Sequence, residues 1–368
     1  DVASSRGLGD VYKRQAIIGC GINGIGCAIA LAESGYDVHI FDKKKPFSET
    51  SAKSSKLLHG GIRYLENGHL NLVRESLQER AAWVKQMPDH TKINRFFIPV
   101  YQNLSRNIFI LFAGVKLYEF LAGKFSLGKS KFHGRKNTLQ LNKSLRSEGL
   151  IGSVSYVDVQ MDDEAISSQL LAKAERMGVK IIDNTEVTNF DLAGKVETDS
   201  HSIKYDFIVN ACGPWVKASL DKNKINTKYE IEHVRGSHII VNKKISNPLV
   251  LQNPSDKRII FMLPIKEGTL IGTTEIKHDL AKPIECSKAE QKYLIDNANN
   301  FIQEPLDAGN VISNYSGVRA LVSQGEKNLS SINRDSAIEL NGKLINVFGG
   351  KWTSGLSLGK KVANLIQN

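Results

Sequence analysis

Ala16-Ile17-Ile18-Gly19-Cys20-Gly21-Ile22-Asn23-Gly24 reads as a short buried strand running into a GxGxxG turn and then a helix. Gly19 permits the tight turn, Gly21 lets the backbone approach a pyrophosphate, and Gly24 lets helix and strand pack closely. The helix start adds amide donors and partial positive charge for phosphate. Gly35 ends the helix and Asp37 to Phe41 forms a second strand. Asp42 then stands where a carboxylate, about 20 residues past the glycines, reaches the ribose hydroxyls of a dinucleotide and disfavours a 2′-phosphate. The expected fold class is α/β, opening on a Rossmann-type βαβ unit.

Working outward, the next segment chooses the dinucleotide. Ser51-Ala52-Lys53-Ser54-Ser55-Lys56 offers hydroxyl and ammonium groups to a pyrophosphate just beyond the ribose acid. Leu57-Leu58-His59-Gly60-Gly61 is too apolar and glycine-rich for a solvated loop, and its double glycine lets backbone pass under an isoalloxazine ring. Asn210-Ala211-Cys212-Gly213-Pro214-Trp215 is a second close-approach point, and Phe348-Gly349-Gly350-Lys351-Trp352-Thr353 opens a closing helix whose N-terminus suits the flavin pyrimidine. A nicotinamide dinucleotide does not require this third contact, so FAD is the expected cofactor.

Periodicity predicts helices over Leu70 to Met87 and Asp162 to Met177, and strands at Phe96 to Tyr101, Val179 to Ile182, Tyr205 to Ala211 and Leu344 to Phe348. From about 216 to 315 the pattern turns to alternating β segments with turn residues between them. The expected architecture is a Rossmann-type FAD-binding domain (16–95, 150–215 and 316–368) with an inserted, mostly antiparallel β substrate domain (96–149 and 216–315). Residues 1–15, DVASSRGLGDVYKRQ, are polar where a buried first strand belongs and are read as foreign to the fold.

The chain has 368 residues, 41% hydrophobic and 24% charged, which fits a soluble globular protein of two or three domains. The net charge of +11 suits an anionic substrate or an anionic membrane surface. Lysines scattered among acids, with no zinc-finger, RNA-recognition or basic-helix pattern, argue against nucleic acid. Four cysteines (Cys20, Cys27, Cys212, Cys286) show no metal spacing and no disulfide framework, which fits a reducing, cytoplasmic setting and no metal. Ile108 to Leu121 is the most apolar segment. As a helix apolar nearly all round it would ordinarily be buried; the alternative is a monotopic membrane contact.

SSKLLHGGIRYLE (54–66), ACGPWV (211–216), RGSHIIV (235–241), IGTTE (271–275), YSGVRAL (315–321), INRD (332–335) and VFGGKWT (347–353) resemble the FAD-dependent glycerol-3-phosphate dehydrogenases, within the D-amino-acid-oxidase-like flavoenzymes. The resemblance implies oxidation of sn-glycerol 3-phosphate to dihydroxyacetone phosphate through FAD, with electrons passed to a membrane quinone. It implies a protein held peripherally at the inner face of the plasma membrane; a homodimer is the expected assembly. The cofactor set it implies is Gly19, Gly21, Ile22, Asn23, Gly24, Asp42, Lys43, Ser51, Ser54, Ser55, Lys56, Leu58, His59, Gly60, Val187, Ala211, Gly213, Trp215 and Gly349 to Thr353. Arg63, Arg319, Arg334 and Lys351 are the candidate phosphate ligands, since guanidinium forks match phosphate oxygens. His59 and His238 are alternative acceptors of the C2 hydroxyl proton as the hydride passes to flavin, Arg63 assists, and Tyr64 and Thr274 are candidate substrate hydrogen-bonders. Two departures stand out: the family usually has Asp at Glu275, and Arg in the stretch here reading Ser354-Gly355. Many members continue into a helical C-terminal domain, whereas this chain stops at Asn368. Rival readings are a related amino-acid or hydroxy-acid oxidase, which needs one arginine for a carboxylate, and a catalytically inactive FAD-binding protein.

Overall fold

The computed structural model describes residues 13–323 and 336–367. Arg334 and residues 1–12 lie outside them. Strand β1 (Arg14–Ile18) runs through the glycine turn into helix α1 (Ile22–Glu33) and on to strand β2 (Asp37–Phe41). β1 is the centre of a six-stranded sheet, ordered Ala337–Asn341, Leu344–Phe348, Phe207–Asn210, β1, β2, Lys180–Ile182. All its pairings are parallel except the edge pair Ala337–Asn341 with Leu344–Phe348. Parallel strands buried on both faces explain why Ile17, Val38, Ile40, Val209 and Ile345 form near-continuous apolar runs. Arg14 and Gln15, expected to be foreign, are part of β1: Arg14 N–H donates to Asp206 and the Gln15 side chain is fully buried.

Glycines make the helix layer close. Gly24 sits where a Cβ would stand 1.8 Å from the Gly19 carbonyl oxygen. At Gly26 a Cβ would stand 2.3 Å from the Gly355 oxygen, so α1 lies directly against the closing helix Gly355–Gln367.

The second sheet has ten strands and is antiparallel apart from one parallel pairing, Leu249–Gln252 with Thr91–Tyr101. The strands Leu150–Met161 and Val311–Ser323, largely expected in the cofactor-binding portion, are hydrogen-bonded into this sheet, through Thr91–Tyr101 and Glu230–Val241 respectively. Val159 and Met161 at one end of the first, and Val322 near one end of the second, pack into the core around the six-stranded sheet, while the body of each strand belongs to the other layer. Helices α2 (Leu70–Gln86) and α3 (Ile108–Ala122) cover one face of the sheet at its Thr91–Tyr101 side. Only Val115, Tyr118 and Ala122 of α3 are buried, so burial on all sides does not hold for that segment.

Candidate active site

The cleft lies at the carboxyl ends of the parallel strands, where a doubly wound sheet holds its ligand. Two cavities of about 290 and 230 Å³ adjoin there and share Gly21, Ser51, Ala211, Gly213 and Pro214 in their walls. Together they form one elongated site of dinucleotide character.

The first cavity carries Asp42, Lys43, Val187 and Trp215 in its wall. Asp42 accepts from the backbone N–H of Cys20 at 2.8 Å and of Lys44 at 2.9 Å. Burial raises its acid above the ordinary range while those two donors oppose the shift. Each carboxylate oxygen retains a lone pair for a ribose hydroxyl. Gly19 has φ +98° and a Cβ there would stand 2.6 Å from the Ala211 oxygen; at Gly21 a Cβ would meet the Ser51 hydroxyl at 3.0 Å. These glycines leave room at the helix entrance that any side chain would fill. The N–H of Ile22, in the first turn of α1, points at the Ser51 hydroxyl at 3.0 Å, so donor and hydroxyl converge where a pyrophosphate would bridge the two cavities. The residues present fit FAD.

Replacing Asp42 by alanine is therefore expected to weaken FAD retention, through loss of two charge-assisted bonds of about 1.5–3 kcal/mol each. The flavin-to-protein absorbance ratio after extensive dialysis checks it; stoichiometric flavin in the variant would remove Asp42 from the ribose site.

The second cavity gathers Asn23, Ser54, Ser55, His59, Tyr64, His238, Arg319 and the run Gly349 to Thr353. Gly349 and Gly350 both have left-handed φ, 68° and 97°, and Asn23 donates to the Gly349 carbonyl at 2.9 Å. Trp352 Nε1 donates to the Ser51 carbonyl at 2.9 Å, tying the closing glycine turn to the pyrophosphate loop. Lys351 Nζ lies 4.4 Å from the centre of the Tyr64 ring and 3.4 Å from the Ser76 hydroxyl.

Strand register explains the wall that carries His238 and Arg319. Tyr315, Gly317 and Arg319 stand opposite His238, Gly236 and Val234, so all six share one sheet face. Gly236 makes room for Arg319: a Cβ there would be 2.5 Å from Arg319 Nη2. Arg319 Nη2 donates to Thr273 Oγ1 at 3.1 Å, and its Nη1 lies 3.8 Å from Glu275 Oε1. Arg63 Nη2 reaches the same Glu275 oxygen at 3.4 Å. Two of the four candidate phosphate ligands thus meet on one buried carboxylate. His238 is stacked on Tyr315 with centroids 4.9 Å apart, and its Nε2 is 2.9 Å from Ser55 Oγ. Its Nδ1 has no hydrogen-bond partner among the described residues. Burial first, then the Arg319 and Lys56 charges, push its imidazole down to about 3.

Other residues singled out in the sequence are held by partners of their own or stand behind the cavity wall. Thr274 donates to Glu290 at 2.8 Å and accepts from Ser237 N–H at 2.9 Å, on the opposite sheet face, so it is a buried support and Thr273 is the neighbour of Arg319. Lys56 pairs with Asp163 at 2.6 Å and Ser54 donates to the same carboxylate at 2.6 Å, so both side chains are engaged there, although Ser54 still walls the cavity. Leu58 and Gly60 are buried behind the loop rather than in the lining. Gly24 serves helix–strand packing. Arg63 enters through Glu275 rather than by lining the cavity. Arg235, in the RGSHIIV run, is paired with Glu290 at 2.6 Å on the far face. Glu275 and Thr273 were legible only as positions in the IGTTE run, not as the hub of two arginines.

The family described as FAD dependent oxidoreductase matches residues 14–365. A glycerol-3-phosphate dehydrogenase of Pseudomonas tolaasii is 33% identical over 366 residues, covering 94% of this chain and 70% of that protein. The glycerol-3-phosphate dehydrogenase of Bacillus halodurans, solved in complex with FAD, superposes with a TM-score of 0.75 at 22% identity, covering 97% of this chain and 64% of that one. The L-alpha-glycerophosphate oxidase of Mycoplasma pneumoniae, with FAD bound, superposes with a TM-score of 0.77 at 17% identity, covering 97% and 95%. The chain thus spans about two thirds of the length of the dehydrogenases it matches. The glycine cradle, the Asp42 carboxylate beside it and this similarity converge: the chain belongs to the FAD-dependent oxidoreductase family, among its glycerol-3-phosphate dehydrogenases.

Proposed function

We propose that this chain oxidises sn-glycerol 3-phosphate to dihydroxyacetone phosphate. The observation that carries the reading is the convergence of Arg319 and Arg63 on Glu275 beside His238, at the flavin end of the cleft. The Arg319 guanidinium fork there matches the non-reacting phosphate, and Glu275, with Arg63 on the same oxygen, keeps that fork aimed before substrate arrives. Bound FAD supplies the acceptor for the C2 hydride. His238 is uncharged at neutral pH, and the tautomer that carries its hydrogen on the buried Nδ1 leaves Nε2, beside Ser55, as the proton acceptor. A phosphate dianion beside Arg319 offsets one of the charges that depress His238 and so raises its basicity when substrate is bound. His59 walls the same cavity and is the alternative acceptor. Mixing the enzyme anaerobically with glycerol 3-phosphate is expected to bleach the visible flavin absorbance. Bleaching by an amino acid or a non-phosphorylated hydroxy acid, and not by glycerol 3-phosphate, would favour the oxidase reading instead.

A membrane quinone is the proposed electron acceptor, and α3 supports it. Phe109 is 78% exposed and Phe120 79%, on a helix flanked by Arg106 and Lys124, whose charges suit an anionic headgroup layer. No helix among the described residues is long and apolar enough to cross a membrane, so the proposed contact is peripheral. The enzyme is expected to co-sediment with anionic vesicles at low salt and not with neutral ones, and the Phe109→Ser/Phe120→Ser double variant should lose most of that binding. Equal failure of wild type with both vesicle types would remove the membrane contact while leaving the oxidation chemistry standing.

A further inference from the structure

The loop His59-Gly60-Gly61 carries a cavity-wall histidine, yet its backbone is fixed from behind by a residue far along the chain. Gly60 N–H donates to the Tyr118 hydroxyl oxygen at 2.7 Å. The same hydroxyl donates to Asp158 Oδ2 at 2.8 Å. The polarity of this relay admits one arrangement: a backbone N–H can only donate, so the single phenolic hydrogen is left for Asp158. Asp158 Oδ1 in turn accepts from Arg80 Nη1 at 2.9 Å, and that nitrogen also donates to the Val157 carbonyl at 3.0 Å. Arg80 and Asp158 are 1% and 3% exposed, so the pair is a desolvated anchor rather than a surface contact. Nothing at Gly60 can slide: a Cβ there would meet Leu77 at 2.5 Å and the Tyr118 oxygen at 2.6 Å.

We infer that Tyr118 is a positioning residue for the oxidation step, holding the His59–Gly60 peptide of the active-site loop by a hydrogen bond relayed from Asp158 and Arg80. The peptide is planar and trans, so a Gly60 N–H aimed at Tyr118 sends the His59 carbonyl the opposite way, away from α3. That sets the height and tilt of the loop against the flavin end of the cleft, and with it the place of the His59 side chain. The anchor comes from three separate elements: Arg80 from α2, Tyr118 from the buried seam of α3, and Asp158 from the strand Leu150–Met161. Since α3 turns Phe109 and Phe120 to solvent while its Tyr118 holds the loop, whatever seats that helix also seats the loop.

The inference rests on the glycerol 3-phosphate reading, and the two fail differently. A wild-type enzyme inert toward glycerol 3-phosphate defeats the reading; an active wild type with an equally active Tyr118→Phe defeats only the positioning role. Tyr118→Phe keeps the ring and loses the relay. In the holoenzyme it is expected to lower kcat by about tenfold or more, with KM within about twofold, because the loop and not the phosphate fork is displaced. It should also shift the visible flavin band and speed amide exchange in the peptide spanning 58–62. Tyr156→Phe is the control, because Tyr156 packs edge-on against Tyr118 with centroids 5.5 Å apart and loses a hydroxyl from the same buried cluster. It should leave kcat, the flavin band and loop exchange near wild type. Equal effects of the two variants, or a folded Tyr118→Phe with unchanged kcat and loop exchange, would overturn the role. If Tyr118→Phe does not fold, the wild type still decides. Slow exchange at Gly60, matching the core around it, supports the anchor, and exchange at the rate of an exposed loop overturns it.

Discussion

Arg319→Ala is expected to raise KM for glycerol 3-phosphate roughly ten- to hundredfold, from loss of about 1.5–3 kcal/mol of charge-assisted bonding to the phosphate. Arg319 walls the second cavity, and its fork is held by Thr273 at 3.1 Å and by the Glu275 carboxylate. The phosphate is remote from the carbon that reacts, so its grip is uniform between ground and transition states. KM should therefore move much more than kcat. Arg319→Lys keeps the charge without the fork and should fall between the two. Glu275 is 5% exposed and keeps Arg63 as a counter-charge in the variant, so the fold should survive the loss. Steady-state kinetics over a wide substrate range separate the terms. An unchanged KM in Arg319→Ala would take the phosphate away from this wall of the cavity, and with it the distinction from an amino-acid or hydroxy-acid oxidase.

The parts of this site legible in the sequence are those where backbone geometry dictates residue type over a short stretch. Gly19, Gly21 and Gly24 announce a cradle because no side chain fits there, and Asp42 follows at a separation set by one helix and one strand. The glycine pair at 349 and 350 is legible for the same reason, since its left-handed φ angles exclude most residues. What the linear chain hid was the facing of polar side chains. Lys56 and Ser54 sit in a segment that suits pyrophosphate, but Asp163, more than a hundred residues later, takes both. Thr273 and Thr274 are neighbours of one type in the connection after the strand Thr269–Gly272, and only the folded path of that connection decides that the first meets Arg319 and the second Glu290. Arg235 and Arg319 look alike in their motifs; register puts one against the helix Lys288–Asn299 and the other over the cleft. The exposure of α3 was hidden too, because a helix apolar on most sides looks the same in sequence whether protein or another medium covers it.

His238 leads to the last expected result, a loss of stability in mild acid that belongs to one residue. Its imidazole is pushed from 6.5 to about 3, by burial first and then by Arg319 and Lys56. Between those two values the unfolded chain carries a proton on this histidine and the folded chain does not. Unfolding then takes up a proton, so stability rises with pH across the window and is lost as pH falls below 6.5. The slope for one such group is about 1.4 kcal/mol per pH unit, so moving from pH 7.5 to 5 should cost wild type about 2 kcal/mol that His238→Gln does not lose. Urea unfolding midpoints of the two proteins at both pH values measure the difference. Parallel losses would mean that His238 is protonated in the fold at pH 5 and is not the uncharged acceptor assigned here. Arg319→Ala connects this result with the first. Removing one of the charges that depress the imidazole should raise its basicity, so that the acid-dependent loss levels off at a higher pH than the value of about 3 that ends it in wild type. An arginine that holds phosphate and tunes His238 would show both effects in one variant, whereas one that only binds phosphate would leave the acid profile unchanged.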